Sequence, residues 1–240
     1  MSQNATSIKK QLGLIANAQL ARFLMSFFQT HPGGYGAGDK FLGIRVPELR
    51  KIAKQNSNLA MTEIKKLANS KFHEERFLAL AIMVLQFKNA TDPRAKKSLF
   101  DAYLRMVKAK KIVNNWDLVD ASAPYFGEYL INQPEAKELL INLVKNKDLW
   151  VQRVAMLFTF AFIKAGNNKP TLLLAKELLS HPHDLMHKAA GWMLREAGKK
   201  NLKDLLIFLE AHATAMPRTM LRYSIEKLPQ TQRKKWLAKK

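Results

Sequence analysis

Apolar residues recur at helical spacing along most of the chain, and glycines and prolines fall mainly between those stretches, where helix punctuation belongs. His31-Pro32-Gly33-Gly34, Asp92-Pro93, Gln133-Pro134, Gly166 to Pro170, His181-Pro182, Met216-Pro217 and Leu228-Pro229 are such breaks. The pattern predicts helices over roughly 8–30, 47–56, 60–69, 73–88, 93–110, 117–131, 134–146, 148–165, 170–180, 183–199, 201–211, 217–227 and 230–238. No stretch alternates apolar and polar residues as a half-buried strand would. Valine is scarce, eight in 240, while Leu, Ala, Lys and Met abound, a composition that favours helix over strand. The expected fold class is all-α.

Two predicted helices, about 76–87 and 153–163, are apolar almost all round, so both belong inside a larger packing. Aligning them exposes a weak repeat. A basic residue opens an apolar helix at Arg76, Arg153, Lys188 and Arg222, with gaps of 77, 35 and 34 residues, the first being close to two units. A period near 34–39 with two helices per unit fits a HEAT-like α-solenoid of stacked antiparallel helix pairs, since the tetratricopeptide consensus is absent. Stacking would bring the four basic residues into one column on a concave surface. A single domain over 1–240 is expected.

Charge sharpens this picture. Forty Lys+Arg against nineteen Asp+Glu give a formal charge of +21 in a chain that is 48% hydrophobic. That excludes a disordered basic tail, and it exceeds the magnitude of roughly 2–8 that solubility alone asks of a small domain. Contact with a polyanion is expected, with nucleic acid the first candidate and an anionic membrane surface the rival. The absence of cysteine excludes disulfides, thiol catalysis and Cys-ligated metals. Residues 1–25 lack the layout of a signal peptide. The longest apolar stretch, Val154 to Ile163, is ten residues interrupted by Thr159, short of the ~20 needed to span a bilayer. A cytoplasmic protein without membrane attachment is expected.

Few residues offer chemistry. His183 and His187 share a helix face beside His181, but no intervening Glu or third ligand completes a metal site, and surface histidines beside the Pro182 turn are the plainer reading. The loop Gly33-Gly34-Tyr35-Gly36-Ala37-Gly38-Asp39 lacks the Lys-Ser/Thr ending and preceding strand of a phosphate loop. It reads as an inter-helix connection whose bare backbone could approach a DNA phosphate. More informative is Asn115-Trp116-Asp117-Leu118-Val119-Asp120, where Trp116 and Asp120 are four apart on one helix face. Asp117 and Asp120 also suit the first turn of a helix, where the dipole favours carboxylates. Trp192, in Gly191-Trp192-Met193-Leu194-Arg195-Glu196, is either core or the second wall of an aromatic slot.

These segments carry a resemblance. Asn115 to Asp120 with Ala123-Pro124 after it resembles the catalytic stretch of the AlkD-like DNA alkylation repair family. Leu149-Trp150-Val151-Gln152-Arg153-Val154-Ala155 and Gly191 to Glu196 resemble two further family segments, as do Lys40-Phe41-Leu42-Gly43-Ile44-Arg45-Val46-Pro47 and Met216-Pro217-Arg218-Thr219-Met220-Leu221-Arg222-Tyr223. The five pieces occur in order over roughly residues 10–230. The family implies a HEAT-like solenoid that cups duplex DNA and removes cationic N3- or N7-alkylated purines. By that resemblance Asp120 is the catalytic carboxylate, Trp116 and Trp192 are the aromatic pair beside it, and Arg153 contacts DNA near the lesion. Lys188, Arg222, Arg76, Arg45 and Arg218 join the expected DNA-binding set. Where some members have a Tyr in the first helix, this chain has Phe23, which removes a hydroxyl near the lesion.

The chemistry needs little more. A purine alkylated at N3 or N7 is cationic and leaves without a general acid, while oxocarbenium character develops on the sugar. A nearby carboxylate stabilises that charge, and each indole face favours a cation by ~0.5–2 kcal/mol. The expectation is a monofunctional DNA glycosylase without metal or organic cofactor, acting as a monomer on double-stranded DNA. A lyase would need an amine nucleophile, and no lysine is visibly placed for it. The alternative readings are a non-catalytic binder of DNA structures on the same scaffold and a protein-binding solenoid.

Overall fold

A computed structural model describes residues 4–109 and 111–239. It divides into two compact units, Met1–Ser122 and Ala123–Lys240. The regular elements among the described residues are all helices, apart from an isolated bridge between Lys40 and Phe72. The fold is α-solenoid-like, and no described helix is long and apolar enough to cross a membrane.

In the first unit α1 (Ala5–Leu14), α2 (Ala18–Phe27), α3 (Val46–Gln55), α4 (Met61–Ala68), α5 (His73–Asn89), α6 (Pro93–Lys108) and α7 (Trp116–Asp120) follow one another. The buried helix α5 is their centre, flanked by α3, α4 and α6. Its residues from His73 to Leu80 are all buried. In the second unit α8 (Ala123–Phe126) runs into a 3-10 turn (Gly127–Leu130). Then come α9 (Ala136–Val144), α10 (Leu149–Lys164), α11 (Lys169–Glu177), α12 (Asp184–Lys200), α13 (Leu202–His212), α14 (Arg218–Ser224) and α15 (Gln230–Ala238). Here α10 packs on α12 and α12 on α14, the ordered succession that a stacked repeat produces. Residue 110, the expected end of α6, lies outside the described residues.

Two predicted helices are broken. The stretch 8–30 splits at Ile15–Asn17. The Asn17 side chain caps α2 by accepting from Leu20 N at 2.9 Å, and its backbone N–H donates to the Leu42 carbonyl at 2.9 Å. The stretch 117–131 becomes α7, α8 and the 3-10 turn. Ser122 Oγ takes a bond to the Leu118 carbonyl at 2.5 Å, and Pro124 has no N–H to continue a ladder. At Gly127 a Cβ would stand 2.3 Å from the Phe158 carbonyl oxygen, so the turn is pressed against α10.

The four basic residues each fall near the start of a helix, but not all of them are exposed. Arg76 is the fourth residue of α5, and Arg153, Lys188 and Arg222 are each the fifth of α10, α12 and α14. Yet Arg76 is 3% exposed and Arg153 is 4% exposed, while Arg222 is open to solvent. The expectation of four exposed cations is corrected: the first two are interior and bonded to their own unit.

Close packing of α12 on α14 rests on Gly191, where a Cβ would lie 2.5 Å from Tyr223 Cβ and 2.6 Å from the Met220 carbonyl oxygen. Gly191→Ala should therefore lower stability by about 1–3 kcal/mol, or several degrees of Tm. Gly13→Ala, on open helix surface, should be neutral or stabilising by ~0.5–1 kcal/mol. Thermal unfolding of both variants checks the pair, and equal effects would contradict the packing.

Candidate active site

The first unit holds a cleft of about 420 Å³. Its walls are aromatic and apolar, among them Phe27, Phe28, Phe41 and Trp116, and its acidic groups are Asp117, Asp120 and the buried Glu74. Trp116 and Asp120, paired in the sequence, are thus brought to one opening on α7. Both are partly exposed.

A five-residue helix cannot hold itself in place, so α7 is fixed from outside. Asn115 caps it, its side chain accepting from Trp116 N at 2.8 Å. The Trp116 ring lies against Phe28, with centroids 5.2 Å apart and planes 24° from parallel, and meets Phe27 edge-on at 6.1 Å. Its indole N–H donates to the Tyr35 hydroxyl at 3.2 Å, and that hydroxyl donates to the Phe27 carbonyl at 3.3 Å. Tyr35 belongs to the glycine-rich loop. At Gly36 a Cβ would fall 2.3 Å from the Phe28 carbonyl oxygen, so only glycine lets the loop lie flat against the end of α2.

Beneath the cleft runs a buried chain of alternating charges. Arg76 Nη2 is 2.8 Å from Asp39 Oδ1. His73 Nδ1 donates to Asp39 Oδ2 at 3.1 Å, and His73 Nε2 donates to Asp117 Oδ2 at 2.8 Å. Two ring nitrogens that both donate to carboxylates define an imidazolium. Burial alone would push the His73 pKa down, but the Asp117 charge and the bonds to Asp117 and Asp39 raise it to about 9. Asp39 shows the mirror case: burial would push it up, but His73 and Arg76 hold it below the usual carboxylate range. The imidazolium also stacks on Phe41, with centroids 4.5 Å apart, a favourable cation–π geometry. Neighbouring Glu74 accepts from the backbone N–H groups of Leu42, Gly43 and Ile44 at 2.9, 2.8 and 3.2 Å. It fixes the turn at Gly43, whose φ of +82° and closeness to Asn17 both demand glycine.

His73, Asp39 and Tyr35 hold the cleft in shape, and no motif in the sequence marks them individually. The glycine-rich loop was the available signal: two of the three lie in it or at its end. Phe23 falls on α2, not on the first helix, and is 63% exposed with its ring stacked on Phe27 at 6.1 Å. Arg45 is exposed at the N-terminus of α3.

The remaining expected residues lie in the second unit. Trp192 is half-buried on α12, with its ring 6.4 Å from that of Phe160. Arg153 donates to the Leu185 carbonyl at 2.5 Å. Lys188 pairs with Asp184 at 2.7 Å and is partly exposed. Arg218 and Arg222 are exposed on α14, Arg218 bonding the Leu237 carbonyl at 2.8 Å. The three clustered histidines are occupied by their own turn: His183 caps α12, His187 donates to the His181 carbonyl, and His181 donates to Gln152. Among the described residues no group of three or more His, Cys, Asp or Glu is placed to hold a metal ion.

Residues 8–228 match the model of the family described as DNA alkylation repair enzyme, so the chain belongs to that family. A solved structure, a predicted DNA alkylation repair enzyme from Enterococcus faecalis, superposes with a TM-score of 0.71 at 17% identity, over 90% of this chain and 97% of that one. At that identity it speaks for the fold. No curated protein matches.

The raised His73 pKa has a stability consequence with a definite sign. Because the folded value lies above the unfolded one, the contribution is complete below about pH 6.5 and is lost as pH rises through about 9. Stability should fall by on the order of 3 kcal/mol across that window. His73→Gln should be destabilised at pH 6 and show a nearly flat profile to pH 9, as read by denaturant unfolding. A wild-type profile flat across the same window would contradict the imidazolium.

Proposed function

We propose that the protein is a monofunctional DNA glycosylase, hydrolysing the N-glycosidic bond of cationic N3- and N7-alkylated purines in duplex DNA, with residues 1–240 working as one monomeric domain. The observation that carries this reading is the joint placement of Trp116 and Asp120 at an aromatic cleft in a chain of charge +21 that belongs to an alkylation repair family.

In the proposed step the electron pair of the C1′–N bond leaves with the alkylated base and discharges its positive charge. Water adds at C1′ and gives up a proton, for which Asp120 is the acceptor. Before that transfer, the Asp120 carboxylate stabilises the oxocarbenium character of the sugar. Trp116 offers its face to the cation, and Trp192 is assigned the second indole on the family resemblance. Asp117 is engaged by His73 and serves position rather than chemistry. DNA contacts are assigned to the exposed Arg45, Arg218 and Arg222 and to Lys188. Arg153 acts through the Leu185 carbonyl it holds. Arg76, buried beside Asp39, is withdrawn from the open DNA-binding surface.

Asp120→Asn keeps the shape and removes the charge. Single-turnover release of N7-methylguanine from methylated duplex should fall roughly 10²–10³-fold, while DNA affinity holds and Tm moves little. Trp116→Ala or Trp192→Ala should lose less. A well-folded Asp120→Asn protein working at the wild-type rate would sink the assignment. Binding without release by the wild type would favour the non-catalytic alternative.

A further inference from the structure

A second cavity of the first unit, about 520 Å³, is lined in part by Asp39. Three connections meet there: the end of the glycine-rich loop at Gly38 and Asp39, the link between α4 and α5 at Ser70 and Lys71, and the link before α7 at Lys111 and Asn114. The cationic members are Lys71, Lys111 and Arg76, and both lysines are exposed. The acidic member is Asp39, already engaged by Arg76, His73 and Asn114. The balance is strongly positive.

Arg76 lines this cavity and is 3% exposed. Its Nη1 donates to the Ser70 carbonyl and its Nη2 lies beside Asp39, but its Nε has no acceptor, and the Nη2 contact with Asp39 is off the axis of a hydrogen bond. A buried guanidinium donor without an acceptor is costly. Arg76 brings its positive charge to the cavity wall, and a ligand that answers it carries oxygens and negative charge. At Gly38, with φ of +85°, a Cβ would meet nothing within 4 Å, so the loop leaves the approach open.

We propose that this cavity binds a phosphate group, held by the side chains of Arg76, Lys71 and Lys111. The site is distinct from the cleft and is linked to it through Asp39, which lines this cavity and bonds His73 of the cleft wall. The space exceeds a bare phosphate and admits the sugar attached to one. This extends the reading of the chain as a DNA-binding enzyme, for which a backbone phosphate is one source and free phosphate the other.

The test uses the full-length protein and the double variant Lys71→Ala/Lys111→Ala, whose exposed side chains can be removed without touching the core. Inorganic phosphate should raise the wild-type Tm above that in chloride at equal ionic strength, by linkage, and the variant should lose the effect. Duplex binding measured by anisotropy over about 50–200 mM salt should weaken in the variant, with a log–log slope shallower by about one. Loss of the phosphate effect with an unchanged slope supports the site and assigns it to a free phosphate. A wild-type Tm indifferent to phosphate, together with unchanged duplex binding by the variant, overturns the site while leaving DNA binding intact. Failure of the wild type to bind duplex at all would instead remove the functional reading.

Discussion

The buried imidazolium of His73 is the contact on which the rest of the site depends. An isolated charge at that depth would cost many kcal/mol, and it is tolerated because both ring N–H groups end on carboxylates. Those carboxylates come from segments far apart in sequence: Asp39 closes the glycine-rich loop and Asp117 sits in the first turn of α7. The cation therefore ties loop, α5 and α7 together. Arg76 extends the alternation by one further charge, so the chain Arg76–Asp39–His73–Asp117 is neutral as a whole.

From that tie the geometry of the cleft follows. With Asp117 pinned below, α7 is set in rotation, and Trp116 comes to lie on Phe28 with its indole N–H on Tyr35. Asp120, three residues beyond Asp117, is carried to the cleft wall. Two carboxylates within one turn thus have different surroundings, and different surroundings give carboxylates different roles. Asp117 serves the imidazolium and the α7 backbone, accepting also from Leu118 N, whereas Asp120 lines the open cleft.

Much of the architecture was legible because helix punctuation is local. Pro93 after the capping Asp92, Asp148 before α10 and Asn201 before α13 all act where the sequence put the boundaries. The unbroken 8–30 helix failed for a tertiary reason: Leu14 and Ile15 continue the apolar rhythm, and the break is imposed by the bond from Asn17 to Leu42. Trp116 and Asp120 were readable from their spacing. His73 was not, because its partners are 34 and 44 residues away and nothing in Phe72-His73-Glu74 marks it. The basic column misled for a related cause. A cation opening an apolar helix looks the same whether it meets solvent, as Arg222 does, or a carbonyl 32 residues distant, as Arg153 does.

With both ring N–H groups held by carboxylates, His73 is a cation at neutral pH and stays one well into the alkaline range. Nitrogen-15 NMR of ring-labelled histidine, followed from about pH 5 to 10, reads this directly. Both His73 nitrogens should show imidazolium shifts at pH 7 and titrate near 9, with the Trp116 indole signal moving in the same step as α7 loosens. A His73 resonance already neutral at pH 7, or titrating at or below the ordinary value of about 6.5, would contradict the account.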